Sequence, residues 1–233
     1  MTYRLHYAPD NASLIVRLAL LELQVPFDCV LVDRSIEAQK SADYLQLNPM
    51  GRIPVLETPD GPIFETAAIL LWLVDRHGAL GPDTQSAQRG DFLKWLFFMS
   101  NTLHADLRAL FYPDTYFDTT PRADFVTQTQ ARVDRALHLL DQNITAWSAP
   151  EGVWVTDFYI CVVLRWCALY PIGGTHWFDL ARYPALHQLS RKMDTYPATE
   201  HAITAEGLHT TPFSAPRHAT PPYGTQSNVS FSF

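Results

Sequence analysis

Three side chains able to do chemistry recur at one spacing. His104, Arg108 and Tyr112 follow one another at intervals of four, so on a helix they share a face. An imidazole, a permanent cation and a phenol grouped in this way can line a small-molecule site or hold a carboxylate. They can equally form a polar stripe facing a linker or a dimer seam. A second group, Tyr7, Asn11 and Ser13, flanks the start of a helical pattern. Hydrogen-bond donors at a helix N-terminus stabilise an anion placed there. Each also has a purely structural use: Asn11 as a helix cap, Ser13 as a first-turn serine, Tyr7 as a core aromatic. A third pair, Glu65-Thr66, opens another apolar helical run. An acid is favoured there by the helix dipole and a hydroxyl can cap.

The elements that must position these groups are legible in the apolar periodicity. Tyr3 to Tyr7 alternates as a strand, and Pro9-Asp10-Asn11 breaks it. Ser13 to Gln24 places Leu14, Leu18 and Leu21 on one helical face, with Asp10 or Asn11 available as its cap. Phe27 to Val32 is a second strand, and Ser35 to Leu47 has polar helical spacing. Pro54 to Glu57 and Ile63-Phe64 form a hairpin, and Glu65 to Arg76 is an apolar helix. The order is strand, helix, strand, helix, strand, strand, helix; a helix between strands implies parallel pairing there, while the hairpin is antiparallel.

Gly78 to Ser86, with Gly81-Pro82-Asp83, reads as a linker. Beyond it the pattern is helical. Phe92, Trp95, Leu96, Met99 and Leu103 form one stripe; Val133, Leu137, Leu140, Ile144 and Trp147 form another. Val155 to Tyr170 is apolar nearly all round, as in a central buried helix, and Tyr183 to Tyr196 is a further helix with Pro184 in its first turn. From Gly207 the chain turns rich in Pro, Ser and Thr and is expected to be extended or disordered. The implied organisation is 1–77, an α/β domain; 78–86, a linker; 87–206, an all-helical domain; and 207–233, a tail.

Bulk composition narrows the function. The chain has 233 residues, 47% hydrophobic and 18% charged, enough for two modest domains with real cores. A net charge of -7 argues against nucleic acid as a partner. Cys29, Cys161 and Cys167 contain no CxxC pair, so neither a disulfide framework nor a metal site is expected, and all three read as core residues. No apolar stretch has signal-peptide or membrane-spanning length, so the expected compartment is cytoplasmic, with no membrane partner.

The segment NPMGRIPVLETPDGPIFETAAILLWL, Asn48 to Leu73, resembles the glutathione-binding core of the cytosolic glutathione S-transferases. In that family an N-P-x-G-x-[VI]-P-x-L loop leads into a hairpin and an acid-hydroxyl pair opening a helix. The opening LHYAPDNASLIVRLALLELQVPFDCVLVD and the segment LHADLRALFYPDTY are similar to the bacterial beta-like members. The likeness spans about residues 2–205. It implies a thioredoxin-like N-terminal domain followed by an all-α domain, and commonly a homodimer in which Phe64 and its hairpin can take part. It implies a cis bond at Pro54, with the backbone of Ile53 pairing with glutathione as an added strand would. Arg52 lies in the same loop. Glu65 and Thr66 would take the γ-glutamyl end, the acid on the ammonium, the hydroxyl and helix amides on the carboxylate.

Beta-class members carry an active-site Cys where this chain has Ala12, followed by Ser13-Leu14. That departure removes mixed-disulfide chemistry there and leaves Ser13, Tyr7 and Asn11 as candidates to hold the thiolate. His104 matches a histidine that the beta class places over the site, and with Arg108 and Tyr112 it is the candidate second-substrate face. The family also begins its central helix with Ser/Thr-x-x-Asp; here Asp157 keeps the acid while Trp154 replaces the hydroxyl, and Thr156 offers a shifted cap. The activity implied is addition of the glutathione thiolate to a small electrophile. Two alternatives stand beside it: a non-catalytic module of the same fold that binds a ligand or protein, and a glutathione-dependent isomerase or dehalogenase acting on an acidic substrate. In the catalytic readings glutathione is substrate or cofactor, and no metal is expected.

Overall fold

The computed structural model describes residues 2–116 and 123–226. The first part of the chain is a four-stranded mixed sheet with helices. Strand β1 (Tyr3–Tyr7), helix α1 (Ser13–Glu22), β2 (Phe27–Leu31), helix α2 (Ala42–Leu47), β3 (Val55–Thr58), β4 (Gly61–Phe64) and α3 (Thr66–His77) follow in that order. The sheet order is β2-β1-β3-β4. The α1 crossover makes β1 and β2 parallel, with Leu5 opposite Cys29. The second helix between strands makes no parallel pair: β3 is not a neighbour of β2 but runs antiparallel to both β1 and β4, with Leu56 opposite Leu5 on one side and Ile63 on the other. Leu14 and Leu18 of α1 and Ile69, Leu70 and Leu73 of α3 are wholly buried, so the two apolar stripes read from the sequence meet in one core. This is the thioredoxin-like arrangement.

The region from 35 to 47 is not one helix. Short 3-10 turns at Arg34–Ile36 and Ala38–Lys40 precede α2. Glu37 between them has φ 54°, and Ser41 is extended and caps α2 by accepting from the Tyr44 N–H. A left-handed residue and an extended cap both interrupt helical geometry. Polar spacing alone could not reveal either.

The rest of the described chain is helical. Helix α4 (Arg89–Phe98) runs without a break into a π-helical turn (Met99–His104) and then α5 (Ala105–Phe111). Helices α6 (Ala123–Gln142), α7 (Val155–Leu169), α8 (Pro184–Asp194) and α9 (Pro197–Glu206) follow. The apolar stripe expected to carry Ile144 and Trp147 on one helix does not do so. α6 stops at Gln142, Ile144 lies in a separate 3-10 turn, and the buried Trp147 indole donates to the Leu140 carbonyl at 2.9 Å.

Central helix α7 is buried at every position but Ala168, Arg165 included. Its start is held by Asp157, whose carboxylate accepts from the Trp154 N–H at 2.8 Å. Tryptophan has no acceptor to return the bond, so half of a capping box serves. Thr156 does not cap; its hydroxyl donates to the Trp147 carbonyl at 2.6 Å.

The tail also departs from expectation. Leu208, Phe213 and Ala219 are buried, the Phe213 N–H donates to Asp194 at 2.8 Å, and the Thr220 N–H closes on the Gly207 carbonyl at 2.8 Å. Through residue 226 it forms no regular element yet packs on the helices. Its composition concealed a few apolar anchors. The remaining tail residues, 227–233, lie outside the described ones.

Candidate functional site

A cavity of about 780 Å³ is lined on one side by the sheet region and on the other by α5, α7 and the π-helical turn. The sheet side is built by a sharp loop. Asn48 is buried and ties the loop in three ways: its side-chain oxygen accepts from Met50 N–H at 3.0 Å, its carbonyl accepts from Gly51 N–H at 2.9 Å, and its amide donates to the Arg52 carbonyl at 2.8 Å. The Tyr44 hydroxyl donates to the same carbonyl at 2.7 Å. Gly51 has φ 59°, and a Cβ there would lie 3.0 Å from the Gln39 carbonyl oxygen. Only glycine meets both demands without strain. The loop delivers Arg52, Ile53 and Pro54 to the cavity, and the Ile53–Pro54 bond is cis.

Glu65 and Thr66 line the cavity beside this loop. Glu65 is exposed and precedes α3 with φ 72°. A non-glycine residue held there carries ~1–3 kcal/mol of strain. Thr66 is buried in the first turn.

The start of α1 contributes Asp10, Asn11 and Ala12 to the cavity. Asn11 Oδ1 accepts from the Ala12 N–H at 2.8 Å, which fixes the amide orientation and leaves its NH2 as the donor group. Ser13 and Tyr7 are not among the lining residues. Ser13 is wholly buried; its hydroxyl donates to the Ala8 carbonyl at 3.0 Å and accepts from the Ala8 N–H at 3.3 Å, stitching the β1–α1 turn. The buried Tyr7 ring carries the Arg17 guanidinium 4.6 Å from its centroid, and burial pushes its phenol pKa up. Of the three sequence candidates for an anion donor, the cavity therefore receives Asn11.

Asp10, read from the sequence as a possible cap, has another task. It is wholly buried at φ 52°, a conformation that Asp tolerates better than most residues. Arg165, also wholly buried, grips it in a bidentate pair, Nε to Oδ1 and Nη2 to Oδ2, both 2.8 Å. The Tyr170 hydroxyl donates to Oδ2 at 2.7 Å. The Asp10 N–H donates to Glu206 at 2.8 Å, and Glu206 in turn pairs with Arg17 at 2.9 Å. Arg165 also donates to the carbonyls of Pro212 at 3.2 Å and Arg217 at 2.9 Å. One polar network thus joins the α1 entry, α7, α9 and the tail. Sequence reasoning missed it, although Arg165 was the charge interrupting an apolar run.

Arg17 also donates to Cys29 at 3.1 Å. Cys29 is exposed, not a core residue as expected, whereas Cys161 and Cys167 are buried. Cys29 sits on β2, the strand at one edge of the sheet.

The helical wall brings together His104, Arg108 and Tyr112, with Tyr159, Trp166 and Tyr170 from α7 and its end. His104 Nδ1 lies 2.9 Å from the Tyr159 hydroxyl, and its ring centroid is 5.2 Å from that of Trp166. Burial first, and Arg108 second, lower its pKa to about 4, so the imidazole is neutral at pH 7. Burial raises the Tyr159 pKa, leaving the phenol protonated. The Tyr112 hydroxyl accepts from Arg34 Nη2 at 3.1 Å, bridging the two sides of the cavity. Among the described residues no cluster of His, Cys, Asp or Glu has the grouping to hold a metal ion, and no helix is long and apolar enough to cross a membrane.

Comparison with known proteins points the same way. Residues 12–76 match the family model for the glutathione S-transferase N-terminal domain. A sphingomonad glutathione S-transferase solved in complex with glutathione is 31% identical, with a TM-score of 0.74, covering 88% of this chain and 100% of that one. The chain belongs to the glutathione S-transferase family. Glutathione S-transferase GST-4.5 of Xanthomonas campestris pv. campestris is 28% identical over 88% of this chain and 100% of its own length. The beta-class enzyme of Sphingomonas chungbukensis is 28% identical, with a TM-score of 0.72, over 88% of this chain and 98% of its own. In this member of the family the cavity-lining residue just before Ser13 is Ala12, and Asn11 stands beside it.

Proposed function

We propose that this chain is a glutathione transferase that binds glutathione on the sheet side of the cavity and adds its thiolate to an electrophile held against the helical wall. The observation that carries this reading is convergence. The Arg52-Ile53-Pro54 loop, the Glu65-Thr66 pair and the α1 entry line one cavity opposite His104, Arg108 and Tyr112. Glutathione suits such a set. The Ile53 backbone can pair with its cysteinyl unit as an added strand. The Glu65 carboxylate can take its ammonium, and the Thr66 hydroxyl with the α3 amides can take the adjacent carboxylate.

A free thiol with a pKa of ~8.5 is mostly protonated at pH 7, so the protein must favour the thiolate. The Asn11 amide and the N-terminus of α1 supply donors and a positive dipole end. Ala12 provides no sulfur, so no mixed disulfide forms at that position. Ser13 acts indirectly, by holding the turn that presents Asn11. Activation is by electrostatics and positioning, with no covalent enzyme intermediate. The assembly we propose is a homodimer, as is common in the family, with Phe64 and the β3–β4 hairpin at the contact; sedimentation velocity reads that directly.

The test is the pH titration of the thiolate absorbance of bound glutathione. The wild type is expected to show a thiol pKa at least ~1 unit below that of free glutathione. Asn11→Ala should return most of that shift, while Tyr7→Phe leaves it in place. An unshifted thiol in the wild type would favour a non-catalytic binding module of the same fold.

A further inference from the structure

The helical wall of the cavity is unbalanced in charge. Among its described lining residues Arg108 is the one lysine or arginine, and none is Asp or Glu. The nearest acid along its helix, Asp106, is taken by Arg132 in a bidentate pair at 2.9–3.1 Å. Asp10, the acid lining the cavity from the α1 entry, is gripped by Arg165 and Tyr170. Arg108 forms no ion pair among the described residues. Its guanidinium carbon lies 5.8 Å from the Tyr112 ring centroid. Phe111, Tyr112 and Trp166 give the same cavity aromatic walls. The buried Trp166 indole N–H has no acceptor among the described residues.

We propose that the electrophile is a flat aromatic or conjugated acid, its carboxylate held by Arg108 and its ring by Phe111, Tyr112 and Trp166. This rests on the transferase reading above and names the substrate class of the same site. A guanidinium presents paired donors that match a carboxylate. Glutathione brings two carboxylates of its own, but Arg52 and Thr66 line the opposite side, so Arg108 is left for the second substrate. His104, neutral and in contact with Tyr159, adds no competing charge and accepts from or donates to the polar edge of the ring. In an aromatic substitution the thiolate forms the C–S bond and an electron pair passes into the ring. The displaced ring pair then returns to restore the π system as the carbon–halogen bonding pair leaves with the halide. The thiol proton has already gone to solvent.

The experiment uses matched pairs. Binding of 3,5-dinitrobenzoate and 3,5-dinitrobenzamide is followed by tryptophan fluorescence without glutathione. Turnover of 4-chloro-3,5-dinitrobenzoate and its amide is then measured with glutathione, each rate divided by its uncatalysed rate. The wild type should bind and turn over the acid about ten-fold or more better than the amide. Arg108→Gln should lose that preference, and Arg108→Lys should keep part of it. Equal binding of acid and amide by the wild type overturns the inference whatever the variants do. A preference that survives in Arg108→Gln, folded by its melting curve, overturns the role of Arg108. If acid and amide react equally in a protein that binds glutathione, this inference fails and the transferase reading stands. If glutathione itself does not bind, that reading fails separately.

Discussion

Replacing Arg165 with Met tests how far the buried network holds the site together. Arg165 and Asp10 are both wholly buried, and the variant removes two 2.8 Å charge-assisted bonds from the Asp10 carboxylate. It also strips the donors from the Pro212 and Arg217 carbonyls. Removing one partner of a buried ion pair costs ~3–5 kcal/mol, because the other charge is left uncompensated. Against a total stability of ~5–15 kcal/mol that is a large fraction. For a chain of this size it lowers Tm by roughly 6–20 °C. Urea denaturation followed by far-UV circular dichroism reads the loss. The double variant Asp10→Asn with Arg165→Met should recover part of it, since replacing both charges avoids the stranded acid. Glutathione affinity should fall in the single variant as well, because Asp10 adjoins Asn11 and Ala12 at the cavity. A single-variant cost below ~1 kcal/mol with unchanged glutathione affinity would show that the network does not hold the site.

Three further outcomes are expected. The His104 pKa is lowered to about 4 from an ordinary 6.5, so between those values the unfolded chain binds a proton that the folded one refuses. Stability then rises with pH through that window and is lost on acidification, by at most ~3 kcal/mol. His104→Gln should flatten that part of the urea-midpoint profile. Ending the chain at Gly207 removes Leu208, Phe213 and Ala219 from the core; burying one such phenylalanine is worth ~1.5–3 kcal/mol, so a loss of at least that size is expected in the same assay. A thiol reagent should label Cys29 alone in the native protein, and Cys161 and Cys167 only after unfolding. Cys29 is exposed as a residue, yet partial desolvation of its sulfur outweighs Arg17 and raises its pKa, so labelling should be slower than that of free cysteine at pH 7.5, a rate read by absorbance.

The parts of the fold that depend on periodicity were legible in the sequence. The parallel β1–β2 pair, the antiparallel β3–β4 hairpin, the α1 and α3 stripes and the buried α7 follow from where apolar residues and turn residues recur, whereas the antiparallel β1–β3 pair did not. What depends on single backbone conformations was not. Glu37 at φ 54° divides a region that polar spacing reads as one helix. The tail's composition suggested disorder, yet Phe213 and the carbonyls taken by Arg165 pin it down. Within the site, the Asn48–Gly51 loop and the Glu65-Thr66 pair were visible as a local motif. Asp10 and Arg165 were not, because their pairing spans 155 residues of sequence. A buried arginine in an otherwise apolar helix was the available signal: such a charge requires a partner. The choice among Tyr7, Asn11 and Ser13 needed side-chain directions, which spacing alone does not supply.

Calorimetric titration of glutathione into the wild type and into Glu65→Gln tests the central claim most directly. Glu65 is exposed at the cavity beside α3, and a charge-assisted bond to the ligand ammonium is worth ~1.5–3 kcal/mol. The wild type is expected to bind saturably, one site per chain, with affinity weakened ~10- to 100-fold in the variant. No binding by the wild type, or equal binding by both, would contradict it.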